Sequence, residues 1–130
     1  MDKVVHFEIP FDDEARAKKF YSSIFGWDLV DMAMASGMNY VSATTTPADP
    51  TTHMPKDPGA INGGLMPRSD MAKSPIIAME VSSVDEYIKK VEGMGGKVVM
   101  PKTEIGGMGY YAYVTDSEGN TIGLWENMKK

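Results

Sequence analysis

Hydrophobic and polar positions alternate from the start of the chain: Val5, Phe7 and Ile9 share one face of an extended segment, and Val4, His6 and Glu8 the other. A half-buried strand is predicted there. Asp12 and Asp13 supply an N-cap and an acidic first turn. Ala17, Phe20, Tyr21 and Ile24 recur at helical spacing, and Gly26 stands where a left-handed C-terminal residue belongs. A helix over residues 13 to 25 follows, with Phe20 in its core-facing stripe. Trp27-Asp28-Leu29-Val30 and Met38-Asn39-Tyr40-Val41-Ser42-Ala43 read as two short strands. The stretch from Thr44 to Pro58, with four prolines and no periodicity, reads as a loop, either a lid or a mobile insertion.

From Ser74 the pattern begins again. Ile76 to Val81 is a strand, Ser83 and Glu86 form a capping-box signature, and Tyr87, Ile88, Val91 and Met94 line a helix over residues 84 to 94 that Gly95-Gly96 closes. Lys97 to Met100, Tyr110 to Val114 and Thr121 to Trp125 complete the set as strands. An offset of 70 residues superposes the halves: Gly26 falls on Gly96, Ala17, Tyr21 and Ile24 on Tyr87, Val91 and Met94, and Gly37-Met38-Asn39-Tyr40 on Gly107-Met108-Gly109-Tyr110. Beyond the third strand the offset falls to 59, setting Gly63-Gly64-Leu65-Met66 against Ile122-Gly123-Leu124-Trp125. Asn62-Gly63 is on its own a hairpin-turn signal. The repeat instead makes it part of a strand, with the glycines marking a close backbone approach.

The fold class expected is therefore α+β: two βαβββ modules, about residues 3–67 and 74–127, forming a curved mixed sheet around a central cleft in one domain. Parity along the strands puts His6, Glu8, Asn62, Gly64, Met66, Ile76, Ala78, Glu80, Thr121, Gly123 and Trp125 on the cleft face. Val5, Phe7, Ile9, Ile61, Leu65, Ile77, Met79, Val81, Ile122 and Leu124 fall under the helices. His6, Glu8, Asn62, Met66, Glu80 and Trp125 are the candidate ligand-binding residues, Met66 and Trp125 as large, soft side chains flanking glycines against which a flat ligand can stack.

Composition narrows the partners. In 130 residues, 18 acidic side chains against 13 basic ones leave a formal charge of −5, without the basic stripe that a nucleic-acid backbone or an anionic membrane requires. No apolar run approaches the ~20 residues of a membrane span. The opening residues do not read as a signal peptide, and the expected location is cytoplasmic. Twelve methionines offer adaptable apolar filling, some of it around a pocket. The glycine-rich 106–109 segment precedes a strand rather than a helix, so it is not a phosphate loop, and no serine sits in a nucleophile elbow.

The duplicated module, the opening HFEIPFDDEARAKKFYSSIFGWDL, the GGKVVMPKTEI after the second helix and the closing YAYVTDSEGNTIGLWE resemble the vicinal-oxygen-chelate superfamily, which includes glyoxalase I, bleomycin-resistance proteins and extradiol dioxygenases. In metal-using members the resemblance implies one ligand from the first and one from the fourth strand of each module. Carried to this chain, those positions are His6, Gly64, Ile76 and Gly123, so one ligand of four survives. A catalytic metal needs about three protein ligands, and no metal or other cofactor is expected. His53 on the loop, with Glu8 and Glu80, is the alternative donor set, which the pseudo-symmetry gives no reason to converge.

The function expected is a metal-free small-molecule-binding protein, or a metal-independent enzyme, of unidentified ligand. The alternatives are a metal-dependent glyoxalase-like lyase or dioxygenase with non-standard ligands, and a non-catalytic interaction subunit. The resemblance further implies a homodimer.

Overall fold

A computed structural model describes residues 1–33, 39–52 and 54–128. Gly37 and Met38, used in aligning the halves, and the loop residue His53 lie outside the described residues. The elements run β1 (Val4–Phe11), α1 (Glu14–Phe25), β2 (Asp28–Ala33), β3 (Asn39–Thr44), β4 (Gly63–Pro67), β5 (Ile76–Glu80), α2 (Val84–Gly93), β6 (Lys97–Ile105), β7 (Gly109–Thr115) and β8 (Thr121–Asn127). The fold is α+β, two βαβββ modules, and each module carries a mixed four-stranded array. The chain divides into two compact units, residues 6–75 and residues 76–130 together with 1–5. Neither helix is long and apolar enough to cross a membrane.

In the 6–75 unit the strand order is β2-β3-β4-β1. β1 and β4 run parallel with Phe7 opposite Gly63 and Glu8 opposite Gly64, and β3 pairs antiparallel with β4 through Ser42 and Gly64. Asn62-Gly63 thus enters a strand rather than a hairpin turn, as the repeat requires. The Asp13 carboxylate caps α1 by accepting from the Arg16 N–H at 3.0 Å, and Gly26, at φ 70°, ends the helix. Phe11, Val41 and Leu65 form the core beneath it, with Ile9, Ala17, Tyr21 and Leu29 packed around them.

Phe20 is not in that core. It is 54% exposed, with Ile24 at 63% and Phe25 at 57%, and no residue of α1 is fully buried. The apolar stripe is wider than the contact the sheet offers. Ala17 and Tyr21 take the inward positions; the Phe20 ring lies 5.2 Å from that of Tyr21, and the Phe25 ring 6.1 Å from Tyr21 and 5.8 Å from Trp27. Trp27, expected at the head of a strand, precedes β2 and stacks on Tyr21 at 4.9 Å and 10°.

Described residues of the segment between β3 and β4 are tied together by hydrogen bonds. Asn62 Oδ1 accepts from the Thr45 and Thr46 N–H groups at 2.8 and 3.1 Å, and its Nδ2 donates to the Thr46 carbonyl at 3.1 Å. Buried Thr46 donates to Asp57 at 2.7 Å, and Ala48 bridges Pro55.

In the other unit the order is β5-β8-β7-β6, with β5 and β8 parallel and the remaining pairs antiparallel. Ser83 caps α2, whose first N–H, at Val84, donates to Glu126 Oε1 at 2.8 Å. Val81, Val84, Ala112, Val114 and Leu124 are the core, with Met79, Tyr110 and Ile122 packed against it. Ile77 shares their parity but is 48% exposed, at the end of β5 beyond that cluster. The β7–β8 turn is closed by Asp116, whose carboxyl lies below the ordinary carboxylate range because the Asn120 side-chain amide, then the Asn120 and Glu118 backbone N–H groups, donate to it.

The 70-residue offset holds for the first strands and helices, but the third strands follow 71. Ser42 opposes Gly64 as Tyr113 opposes Gly123. Register shifts in β6 between Val98 and Thr103 accompany the extra residue. The structural counterpart of Tyr40 is consequently Tyr111, not Tyr110.

Candidate functional site: two glycines under two tyrosines

On the face of the 6–75 unit turned away from α1, β1 presents His6 and Glu8, β3 presents Tyr40 and Ser42, and β4 presents Gly64 and Met66. His6 Nε2 lies 2.9 Å from the Tyr40 hydroxyl and 3.8 Å from Glu8 Oε2. The His6 side chain is one-third exposed, whereas Glu8 is only 2% exposed. Met66, also 2% exposed, follows on β4. Asn62 spends its amide on the loop contacts described above.

Gly64 explains where Tyr40 goes. A Cβ built on Gly64 would lie 2.1 Å from the Tyr40 Oη and 2.2 Å from its Cζ. The phenol end occupies the volume a fourth-strand side chain would have taken, directly against His6.

The second unit repeats the device. A Cβ on Gly123 would lie 2.2 Å from the Tyr111 Oη. Ile76, at the first-strand position, is buried and offers no donor atom. Tyr111 contacts Tyr113 at 4.8 Å and Trp125 edge-on at 6.2 Å, making one aromatic cluster on the face away from α2. The Trp125 indole covers Gly109, where a Cβ would meet its ring at 2.6 Å. Its Nε1 donates to Asn127 Oδ1 at 2.8 Å, and Asn127 Nδ2 in turn donates to Glu80, whose other oxygen is 3.8 Å from Lys3 Nζ.

Of the residues expected at the site, His6, Glu8 and Met66 share one face of one unit, and Glu80 and Trp125 share one hydrogen-bonded chain in the other. Tyr40, Tyr111 and Asn127 were not foreseen. The available signal was the pair of glycines at positions where a side chain is expected, since close packing requires something to fill that volume.

These residues do not fit a metal ion at the family positions. His6 is the single donor, its Nε2 faces a phenol, and tyrosine hydroxyls stand over the two glycines. Among the described residues no group of three His, Asp or Glu side chains converges in a way that could hold one.

The sequence model of the Glyoxalase/Bleomycin resistance protein/Dioxygenase superfamily matches residues 3–124, and the chain belongs to that superfamily. It is 36% identical over 117 residues to proteins named "Putative glyoxylase CFP32" in Mycobacterium bovis and Mycobacterium tuberculosis. The match covers 88% of this chain but only 41% of those relatives' length. Among solved structures, methylmalonyl-CoA epimerase from Mycobacterium tuberculosis superposes with a TM-score of 0.65 at 18% identity, covering 97% of this chain and 88% of that one. A hypothetical protein from Bacillus halodurans gives 0.67 at 15%, covering 99% and 96%. At such identities the likeness is one of fold.

Proposed function

We propose that the chain binds a small organic molecule on these strand faces without a resident metal, as a sequestering protein or as an enzyme whose groups are its own side chains. The observation that carries this reading is the twofold exchange of a fourth-strand ligand for glycine plus a tyrosine hydroxyl. A single lost ligand is readily explained by drift. The same exchange at the same register in both modules favours a site remade around phenol and imidazole. Metal-assisted polarisation lacks its donors at Gly64, Ile76 and Gly123, whereas Tyr40, His6 and Glu8 are a hydrogen-bonding and proton-holding set.

Elemental analysis of untagged protein tests the metal-free part. Well under one equivalent of zinc, nickel, manganese or iron is expected, unchanged in His6→Ala, with no rise in Tm when those metals are added, because a ligand of the native state alone would raise it. One equivalent that His6→Ala removes would overturn the reading.

Association as a two-fold homodimer belongs to the same proposal, and α1 supports it. Phe20, Ile24 and Phe25 are exposed on one stretch of helix, where Phe20 meets Tyr21 and Phe25 meets Tyr21 and Trp27. At the position equivalent to Phe20, 70 residues on, α2 carries Lys90. The uncharged run from Phe20 to Trp27 suits an equally uncharged partner surface such as its own copy. Light scattering is expected to show a dimer that Phe20→Asp weakens by roughly 30-fold in Kd, the ~2 kcal/mol of a buried aromatic anchor. A monomer at every concentration eliminates this part.

A further inference from the structure

A cleft of about 280 Å³ opens on the α1 side of the 6–75 unit, across the sheet from His6 and Tyr40. Along α1 it runs from Arg16 past Ala17 to Phe20 and Tyr21, positions that share one face of a helix, and Phe11 lines it from the end of β1. Ala17 makes the hollow, because between larger neighbours the helix carries only a methyl group there. We infer that this cleft binds a small organic carboxylate with a ring-sized apolar body, the acid on the Arg16 guanidinium and the body against Phe11, Phe20 and Tyr21. The site is separate from the strand face that carries His6. Its volume is close to the lower end of the ~300–1,000 Å³ of small-molecule sites, which limits the ligand to about one ring and its acid group.

Charge selects the acid. Two carboxylates and two guanidinium groups line the cleft, and three of these four charges are already answered. Arg68 Nε donates to Asp12 at 2.9 Å, so that pair is neutral together. Asp13 accepts from the Arg16 backbone N–H at 3.0 Å and stands at the positive end of α1. The Arg16 guanidinium has no hydrogen-bond or ion-pair partner among the described residues. Its planar fork of N–H donors matches a carboxylate through two parallel hydrogen bonds. A ligand cation would be repelled by that charge, and a neutral amide would gain little from it. Seventy residues on, α2 carries Glu86 and Tyr87 in place of Arg16 and Ala17. The second module thus has bulk where the first has the hollow, and a negative charge where the first has a positive one. Neither feature is demanded by the shared fold.

Nuclear magnetic resonance titrations of the full chain with phenylacetate, phenylacetamide and phenethylammonium, probes with one benzyl body and three charges, test this directly. Phenylacetate is expected to shift the Arg16, Phe20 and Tyr21 side-chain resonances and to bind at least threefold more tightly than either of the others. Arg16→Met keeps most of the stem and removes the fork, and is expected to weaken phenylacetate at least threefold. Lys19→Met removes an exposed cation of α1 that does not line the cleft, and should hold phenylacetate within twofold. A smaller loss in Arg16→Met, an equal loss in Lys19→Met, or a preference for the amide or the ammonium overturns the inference. Phe20 also opens the run assigned to association, and a second copy seated over the cleft would keep the probes out. Absence of shifts at Arg16, Phe20 and Tyr21 therefore overturns it too, as do shifts confined to His6 and Tyr40, which would leave the strand-face reading standing.

Discussion

Gly63→Ala is expected to cost at least ~3 kcal/mol of stability, the upper end of what overpacking a close-packed interior costs. Gly63 sits opposite Phe7 in the parallel β1–β4 ladder, and a Cβ there would lie 2.3 Å from the Phe7 carbonyl oxygen and 2.7 Å from both ring Cδ atoms. The first obstacle is backbone, so relief requires β1 and β4 to separate and give up ladder hydrogen bonds. Its neighbour behaves differently. At Gly64 the obstacle is the end of a side chain, and Tyr40 can swing away at the loss of its hydrogen bond to His6, so Gly64→Ala should cost about 1–2 kcal/mol. Urea unfolding of the two substitutions in wild-type and Tyr40→Ala backgrounds separates the mechanisms. The Gly64→Ala cost should fall below about 0.5 kcal/mol once the phenol is gone, whereas the Gly63→Ala cost should not change. Additive costs for Gly64 and Tyr40 would show that the phenol does not occupy the glycine's missing volume.

These glycines also mark how far the chain can be read without its structure. Periodicity located both helices and seven of the strands, because which residues share a face is a local property, and β4 came only from superposing the halves. The choice between a hairpin turn and a strand at Asn62-Gly63 was not local, and comparison of the halves decided it correctly. Two other matters lie beyond one-dimensional pattern. Apolar spacing along α1 shows that Phe20 and Ala17 lean the same way, but not how wide a contact the sheet provides, and only the positions of Ala17 and Tyr21 are covered. The place of Tyr40 follows from the register of β3 on β4, and the third-strand offset changed from 70 to 71 where β6 shifts register. A one-residue slip moves every side chain to the other face. Tyr110 therefore joined the α2 core, and Tyr111 took the place over Gly123.

Leu65 carries the other large expected effect. It is fully buried between Phe11 and Val41 on the α1 side of β4, in a cluster with few fully buried members, so little else can close over a cavity left there. Leu65→Ala is expected to cost about 3–5 kcal/mol, the transfer free energy of the lost methyl groups plus the cavity they leave. Phe20→Ala removes a larger side chain from the same module but should cost under about 1 kcal/mol, because the ring is 54% exposed and leaves no cavity behind. Both are to be measured by urea unfolding at sub-micromolar protein, where association contributes nothing to the native state. The order is the sensitive quantity, since ranking by side-chain size alone predicts the reverse. If Phe20→Ala costs as much as Leu65→Ala at that dilution, α1 packs through Phe20 and not through Tyr21, and the exposed face assigned to a second copy of the chain would instead belong to the core.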